Sequence, residues 1–314
     1  MTKVYFHIIL CFFAFSNAMA NKNNLVLKAE FLNENTTRIP FKIIGHLMVV
    51  EGELLGKKGS FIIDTGSERL VLNSSHFPVR SNRNSRSSVS GVIGNIDNLA
   101  RKKVDAFQLQ NLIIENINSD VINLSHIEKS KNFRLLGIIG FNVLKNYEVF
   151  IDLYLNQITL FKVDKYGNRL DSRKLLEKIV DSVDFKLRRH TIVLSGTIEN
   201  KKVKFGLDSG AEFNQLNKKV NKKVLQSFDG FRRMFVMGAS NRKVEVLVGK
   251  LNNVKIKNSF SLAPMNTVLI NFGGMHDAYG VYLDGVLGYE FFRQKRTIIN
   301  YKKEKLYFID FPNE

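Results

Sequence analysis

A chain of 314 residues with 44% hydrophobic and 24% charged side chains and only four prolines has room for two cores, which excludes extensive disorder. Its formal charge of +18 raises nucleic acid as a partner, but the basic residues are scattered, as at Arg80, Arg83 and Arg86 of a Ser- and Asn-rich loop, and no aromatic-interleaved basic motif occurs. No nucleic acid is expected, and the charge reads as solvated surface or as attraction to an anionic envelope.

In chain order, the first predicted element is a leader. Lys3 precedes the apolar run Val4 to Phe15, and Ala18-Met19-Ala20 offers a small-x-small cleavage site, so residues 1–20 read as a secretory signal peptide. The run is about a dozen residues, short of the roughly 20 that span a bilayer. No stable membrane insertion is expected after cleavage, and an exported protein, periplasmic or secreted, follows. The single cysteine, Cys11, leaves with the leader, so the mature chain is expected to use neither disulfides nor thiol chemistry.

From Asn21 a first unit is expected to run to Val163. Gly56-Lys57-Lys58 reads as a polar turn before the strand Phe61-Ile62-Ile63, which ends on Asp64. An ionised carboxylate against apolar neighbours is costly unless something holds or neutralises it. Ser90-Gly91-Val92-Ile93-Gly94 reads as a glycine-rich hairpin tip, and Leu109 to Asn116 as strand, turn and strand. Gly137-Ile138-Ile139-Gly140-Phe141 is followed by a short helical piece, Asn142 to Asn146, and by a hairpin of Val149 to Asp152 with Ile158 to Phe161. Residues 164–184 read as a linker, with a turn at Tyr166-Gly167-Asn168 and an amphipathic helix from Ser172 to Val183.

The second unit, residues 185–314, repeats the first. Asp208 follows Asp64 by 144 residues, and that offset aligns Phe61 with Phe205, Gly66 with Gly210, Glu68 with Glu212, Asn73 with Asn217 and Gly94 with Gly238. Lys218, Lys219, Lys222 and Lys223 are placed in one helix, and Val236-Met237-Gly238 stands where the first unit has its hairpin tip. At an offset of 148, Gly285-Val286-Leu287-Gly288-Tyr289 matches Gly137 to Phe141, followed by the helical piece Glu290 to Gln294 and the hairpin of Thr297 to Asn300 with Leu306 to Ile309. The chain therefore reads as two copies of one mostly β unit.

Asp64-Thr65-Gly66-Ser67, Asp208-Ser209-Gly210-Ala211, Ile138-Ile139-Gly140 and Val286-Leu287-Gly288 together resemble the pepsin and retropepsin-like aspartic proteases, most of all the bacterial retropepsin-like form in a duplicated, two-lobed arrangement. The resemblance covers nearly the whole mature chain. It implies an all-β bilobal acid-protease fold, with two small β-barrel lobes and a cleft between them. It also implies that Asp64 and Asp208 meet at the cleft floor, that the Thr65 and Ser209 hydroxyls brace the two loops, and that Gly91, Val92, Ile93 and Gly94, with Met237 and Gly238, form flaps over a peptide or protein substrate. Gly66 and Gly210 suit close backbone approach.

Two carboxylates about 3 Å apart cannot both ionise, so they share a proton and supply a base and an acid together. Such a pair needs no metal or other cofactor. The copies differ at Ser67 against Ala211: a Ser67 hydroxyl donating to Asp64 would favour its charged form, placing the shared proton on Asp208. With both acids on one chain, a monomer suffices. The expected activity is peptide-bond hydrolysis, the alternative a non-catalytic peptide- or ligand-binding protein that keeps the two-lobed fold. The six histidines show no ligand spacing and read as surface or packing residues, Gly273-Gly274 lacks a phosphate-loop context, and Asn35, Asn73 and Asn123 fit glycosylation acceptors where the host glycosylates.

Overall fold

Leu55 and Gly56 both take positive φ, 50° and 72°, so the chain reverses within two residues, and the strands on either side pair with Val49 opposite Ile62. Such tight hairpins build most of the molecule. The computed structural model describes residues 30–79, 89–91, 94–96, 100–171, 178–237, 243–257, 260–273 and 280–311. The expected leader, residues 1–20, lies outside them, as do Val92, Ile93 and Gly238.

The first lobe comprises β1 (Glu30–Asn33), β2 (Thr36–Pro40), β3 (Lys42–Ile44), β4 (Leu47–Leu54), β5 (Lys57–Ile63), β6 (Leu70–Asn73), β7 (Val89–Gly91), β8 (Gly94–Ile96), β9 (Ala100–Leu109), β10 (Leu112–Ile122), α1 (Ser125–Lys131), β11 (Leu135–Ile139), α2 (Phe141–Leu144), β12 (Tyr147–Asp152) and β13 (Gln157–Lys162). The second comprises β14 (Ile179–Asp184), β15 (Lys186–Arg188), β16 (Thr191–Ile198), β17 (Lys201–Leu207), β18 (Asn214–Asn217), α3 (Lys222–Leu225), β19 (Phe228–Met237), β20 (Lys243–Leu251), β21 (Val254–Lys257), β22 (Phe260–Ser261), β23 (Met265–Ile270), β24 (Gly285–Leu287), α4 (Tyr289–Phe292), β25 (Arg296–Asn300) and β26 (Lys305–Ile309).

In each lobe a strand is threaded between the two arms of an acid-bearing loop. β11 runs parallel to β5, with Ile138 opposite Ile62, and antiparallel to β6, with Ile138 opposite Val71. β24 does the same between β17 and β18, with Val286 opposite both Gly206 and Gln215. Phe61, Ile63, Leu136, Ile139, Phe205 and Leu287 are buried in one core that runs through both lobes, so each acid leaves the end of a fully packed strand.

A third sheet, in the order β1-β2-β13-β12-β25-β26-β14, joins the lobes. Its centre pairs β12 with β25 antiparallel, Val149 opposite Ile299 and Phe150 opposite Ile298. The two closing hairpins of the repeat thus meet each other edge to edge, and neither leaves its central strand unpaired.

Three expectations are corrected. Residues 179–183 are extended, not helical: β14 pairs with β26, Val183 opposite Leu306, as the β-branched Ile179, Val180 and Val183 favour, while residues 172–177 lie outside the described residues. Lys218 and Lys219 precede α3, whose N-terminus is capped by the Asn221 side chain accepting from Lys223 N–H, so only Lys222 and Lys223 are helical. Asn73 is fully buried, its amide donating to the Leu135 carbonyl at 2.9 Å, which removes it as a glycosylation acceptor. Among the described residues no helix is long and apolar enough to cross a membrane.

Candidate active site

Asp64 and Asp208 follow directly on β5 and β17, and the threaded strands hold both loops from beneath. Asp64 N–H donates to the Ile139 carbonyl at 3.0 Å and Asp208 N–H to the Leu287 carbonyl at 2.9 Å. The chain after each apolar-apolar-Gly segment then binds the far side of the same loop, Phe141 N–H to the Ser67 carbonyl at 2.8 Å and Tyr289 N–H to the Ala211 carbonyl at 3.0 Å. A Cβ on Gly140 would run into the Arg69 and Ser67 carbonyls, so only glycine lets the segment lie this close.

The loops are locked to each other by a reciprocal set of four hydrogen bonds. Thr65 N–H donates to Ser209 Oγ and Ser209 N–H to Thr65 Oγ1, both at 3.0 Å. Each hydroxyl passes its own proton across the lobe boundary, Thr65 to the Leu207 carbonyl at 3.3 Å and Ser209 to the Ile63 carbonyl at 2.9 Å. Both side chains are wholly buried, so these bonds are unscreened by water.

The grip brings the carboxyls face to face. A Cβ on Gly66 would stand 2.5 Å from Asp208 Cγ, and one on Gly210 would stand 2.5 Å from Asp64 Cγ. Each acid therefore lies over the other loop's glycine, and no larger residue fits. Asp64 Oδ1 accepts from Gly66 N–H at 2.8 Å and Ser67 N–H at 2.9 Å, and Asp208 Oδ1 accepts from Gly210 N–H at 2.8 Å.

Burial lifts both carboxyls above the ordinary carboxylate range; the Asp208 charge and a hydrogen bond between the two acids lift Asp64 further, while that same bond pulls Asp208 back down. The two carboxyls titrate as one pair, and neither can ionise independently of the other. The Ser67 hydroxyl contact expected to favour a charged Asp64 is not made: Ser67 Oγ donates to the Arg69 carbonyl at 3.0 Å and Ser67 reaches Asp64 only through its backbone N–H. Ala211 is buried in the second lobe, and its N–H donates to the Asp208 carbonyl at 3.2 Å.

Of the residues expected in flaps, Gly91 and Gly94 face each other across the β7–β8 hairpin, with Val92 and Ile93 outside the described residues. Met237 ends β19 opposite Lys243 on β20, and Gly238 lies outside the described residues.

Sequence reasoning missed two histidines at the loops. His190 is buried, its Nδ1 3.9 Å from Glu68 Oε2, with the Gly66 backbone and the Asp208 charge close by. His46 Nδ1 lies 3.2 Å from the Glu212 carbonyl oxygen, and its ring stacks on Tyr289 at 4.6 Å. The signal was available, because the offset of 144 that pairs Asp64 with Asp208 also pairs His46 with His190. Tyr301 is a third omission: it is buried, and burial together with the Asp64 charge pushes its hydroxyl above the ordinary tyrosine range.

No family model matches the chain, and no curated protein matches it in sequence. Solved structures do match in shape. The aspartic proteinase from Irpex lacteus aligns over 87% of this chain and 97% of its own, at 12% identity and a TM-score of 0.51. A retropepsin-like aspartic protease from Rickettsia conorii aligns over 40% of this chain and 89% of its own, at 14% identity and a TM-score of 0.30. With its two β lobes, its threaded strands and one acid-bearing loop from each lobe, the chain has the pepsin-like aspartic-protease fold.

Proposed function

We propose that this chain is an exported aspartic endopeptidase that hydrolyses peptide bonds with a water activated between Asp64 and Asp208. The observation that carries the reading is the reciprocal Thr65–Ser209 grip, which holds a half-buried Asp64 and a buried Asp208 against each other's loop glycines at a cost that a purely structural role would not require. The ionised carboxyl takes a proton from water as the oxygen attacks the peptide carbonyl carbon. The protonated carboxyl donates to the carbonyl oxygen, and collapse of the tetrahedral species delivers a proton to the departing amine. Whichever carboxyl of the pair holds the shared proton is the donor in the first step, and its partner is the base. The Gly66, Ser67 and Gly210 amides keep both carboxyls oriented throughout.

The test is incubation of the leader-less protein with a peptide library across about pH 3 to 7, with and without a statine-type transition-state inhibitor. Inhibitor-sensitive cleavage with an acidic optimum is expected. Asp64→Asn and Asp208→Asn should each lower kcat by at least about a thousandfold while the fold persists. Binding of peptides without turnover at any pH would favour a non-catalytic binding protein and sink the protease reading.

A further inference from the structure

Each acid-bearing loop carries a glutamate four residues after its aspartate, and each glutamate is met by a base from the opposite lobe. Glu212 of the second lobe is held by Lys131, from α1 of the first, at 2.5 Å. His46 of the first lobe adds its ring to the same loop, against the Glu212 carbonyl, Tyr289 and Phe213. Glu68 of the first lobe faces His190 of the second, Nδ1 to Oε2 3.9 Å, and this buried nitrogen has no hydrogen-bond partner. Glu68 and Glu212 are counterparts in the repeat, but His190 and Lys131 are not, and the two ties differ in chemistry: one base is an ammonium, the other an imidazole, the side chain suited to switching its charge in mildly acidic media.

We propose that His190 is a positioning residue for the dyad: once protonated, it draws in the Glu68 carboxylate, fixes the loop that carries Asp64, and sets its charge beside Asp208. The inference rests on the protease reading. Neutral, His190 stands one hydrogen bond short of Glu68; charged, it closes that gap and clamps the Gly66 and Ser67 amides that orient Asp64. The groups that face it are Glu68 and Asp208, which favour the imidazolium, the Gly66 backbone, which does likewise, and Arg189, which opposes it. Burial opposes it more strongly and holds the ring below the ordinary histidine range, so the clamp closes as the medium turns acid.

Two measurements test this. In the first, the ring protons of His190 are followed by NMR against pH in the wild type and in Glu68→Gln, with His190→Gln identifying the signal. The midpoint should move to lower pH in Glu68→Gln; an unmoved midpoint overturns the inference whatever the activity. In the second, kcat/KM is followed against pH. Glu68→Gln should bring the alkaline limb to lower pH, and His190→Gln should lower kcat/KM about tenfold at the wild-type optimum and make that limb shallower. Lys131→Met, which cuts the other tie, should lower kcat/KM without moving the limb. A uniform loss across pH in His190→Gln assigns the ring a packing role only and overturns the inference. A wild-type protein that cleaves nothing overturns the protease reading instead, and the NMR midpoint separates the two failures.

Discussion

At Asp64 and Asp208 the fold accepts a local cost for a chemical arrangement. Both carboxyls bind protons more readily folded than unfolded, so their contribution to stability is complete below the ordinary carboxylate range and is lost as pH rises through the raised values. Asp64→Asn keeps an oxygen for the Gly66 and Ser67 amides and carries no charge. Its melting temperature should therefore exceed that of the wild type near neutral pH, and the gap should shrink toward zero in acid, as calorimetry across pH would read. Tyr301 makes a smaller case of the same kind. Its hydroxyl is buried without a partner, so Tyr301→Phe should be neutral or stabilising by about 1 kcal/mol in denaturant titration. Ser209→Ala runs the other way: it strands the Thr65 N–H and the Ile63 carbonyl in the core and should cost about 1–3 kcal/mol, with a large loss of kcat as the loops part.

At the scale of elements, the threaded strand is the part that makes the site. β11 and β24 contribute only three to five residues each, yet each bonds the strand before its acid and the strand after it, and the residue two beyond its end bonds the far side of the loop. Gly140→Ala would push a methyl into the Ser67 and Arg69 carbonyls, and the loop would have to yield. A loss of about 1–3 kcal/mol and near-complete loss of activity are expected, measurable in one unfolding and assay series. These elements were legible in sequence because apolar strands, glycine pairs and turns repeat at two fixed offsets. The edge strand β14 was not, since the apolar spacing from Ser172 onward reads as one amphipathic run, and the β-branched Ile179, Val180 and Val183 at its end find their partner strand β26 more than 120 residues away. The histidines were passed over for a related reason. Residue type and spacing mark metal clusters, whereas His190 acts across a lobe boundary that spacing along the chain does not show.

For the whole molecule, the seam between lobes is polar as well as apolar. Arg296 and Asp152 form a buried ion pair at 2.6 Å across the β12–β25 junction, and Arg296 also donates to the Asp310 carbonyl. The repeat supplies a counterpart, Asn300 donating to Glu148 at 2.6 Å, with Arg169 closing on the same carboxylate. Asp152→Ala leaves the Arg296 charge in the core and should cost about 3–5 kcal/mol, read as a lowered denaturant midpoint, whereas loss of an exposed pair such as Arg233 with Glu245 should cost at most about 1 kcal/mol.

By itself the sequence determined that there are two like units, that each presents one acid at the end of an apolar strand, and that these acids are Asp64 and Asp208. Hydrophobic period, glycine placement and the repeat are local properties, and local properties are written along the chain. Only the tertiary structure decided that the acids face each other over their partner's glycine, that Ser67 turns its hydroxyl to Arg69 and away from Asp64, and that the bases tying the two loops come from opposite lobes. Those facts depend on directions in space between segments some 144 residues apart, set by the packing of one lobe against the other.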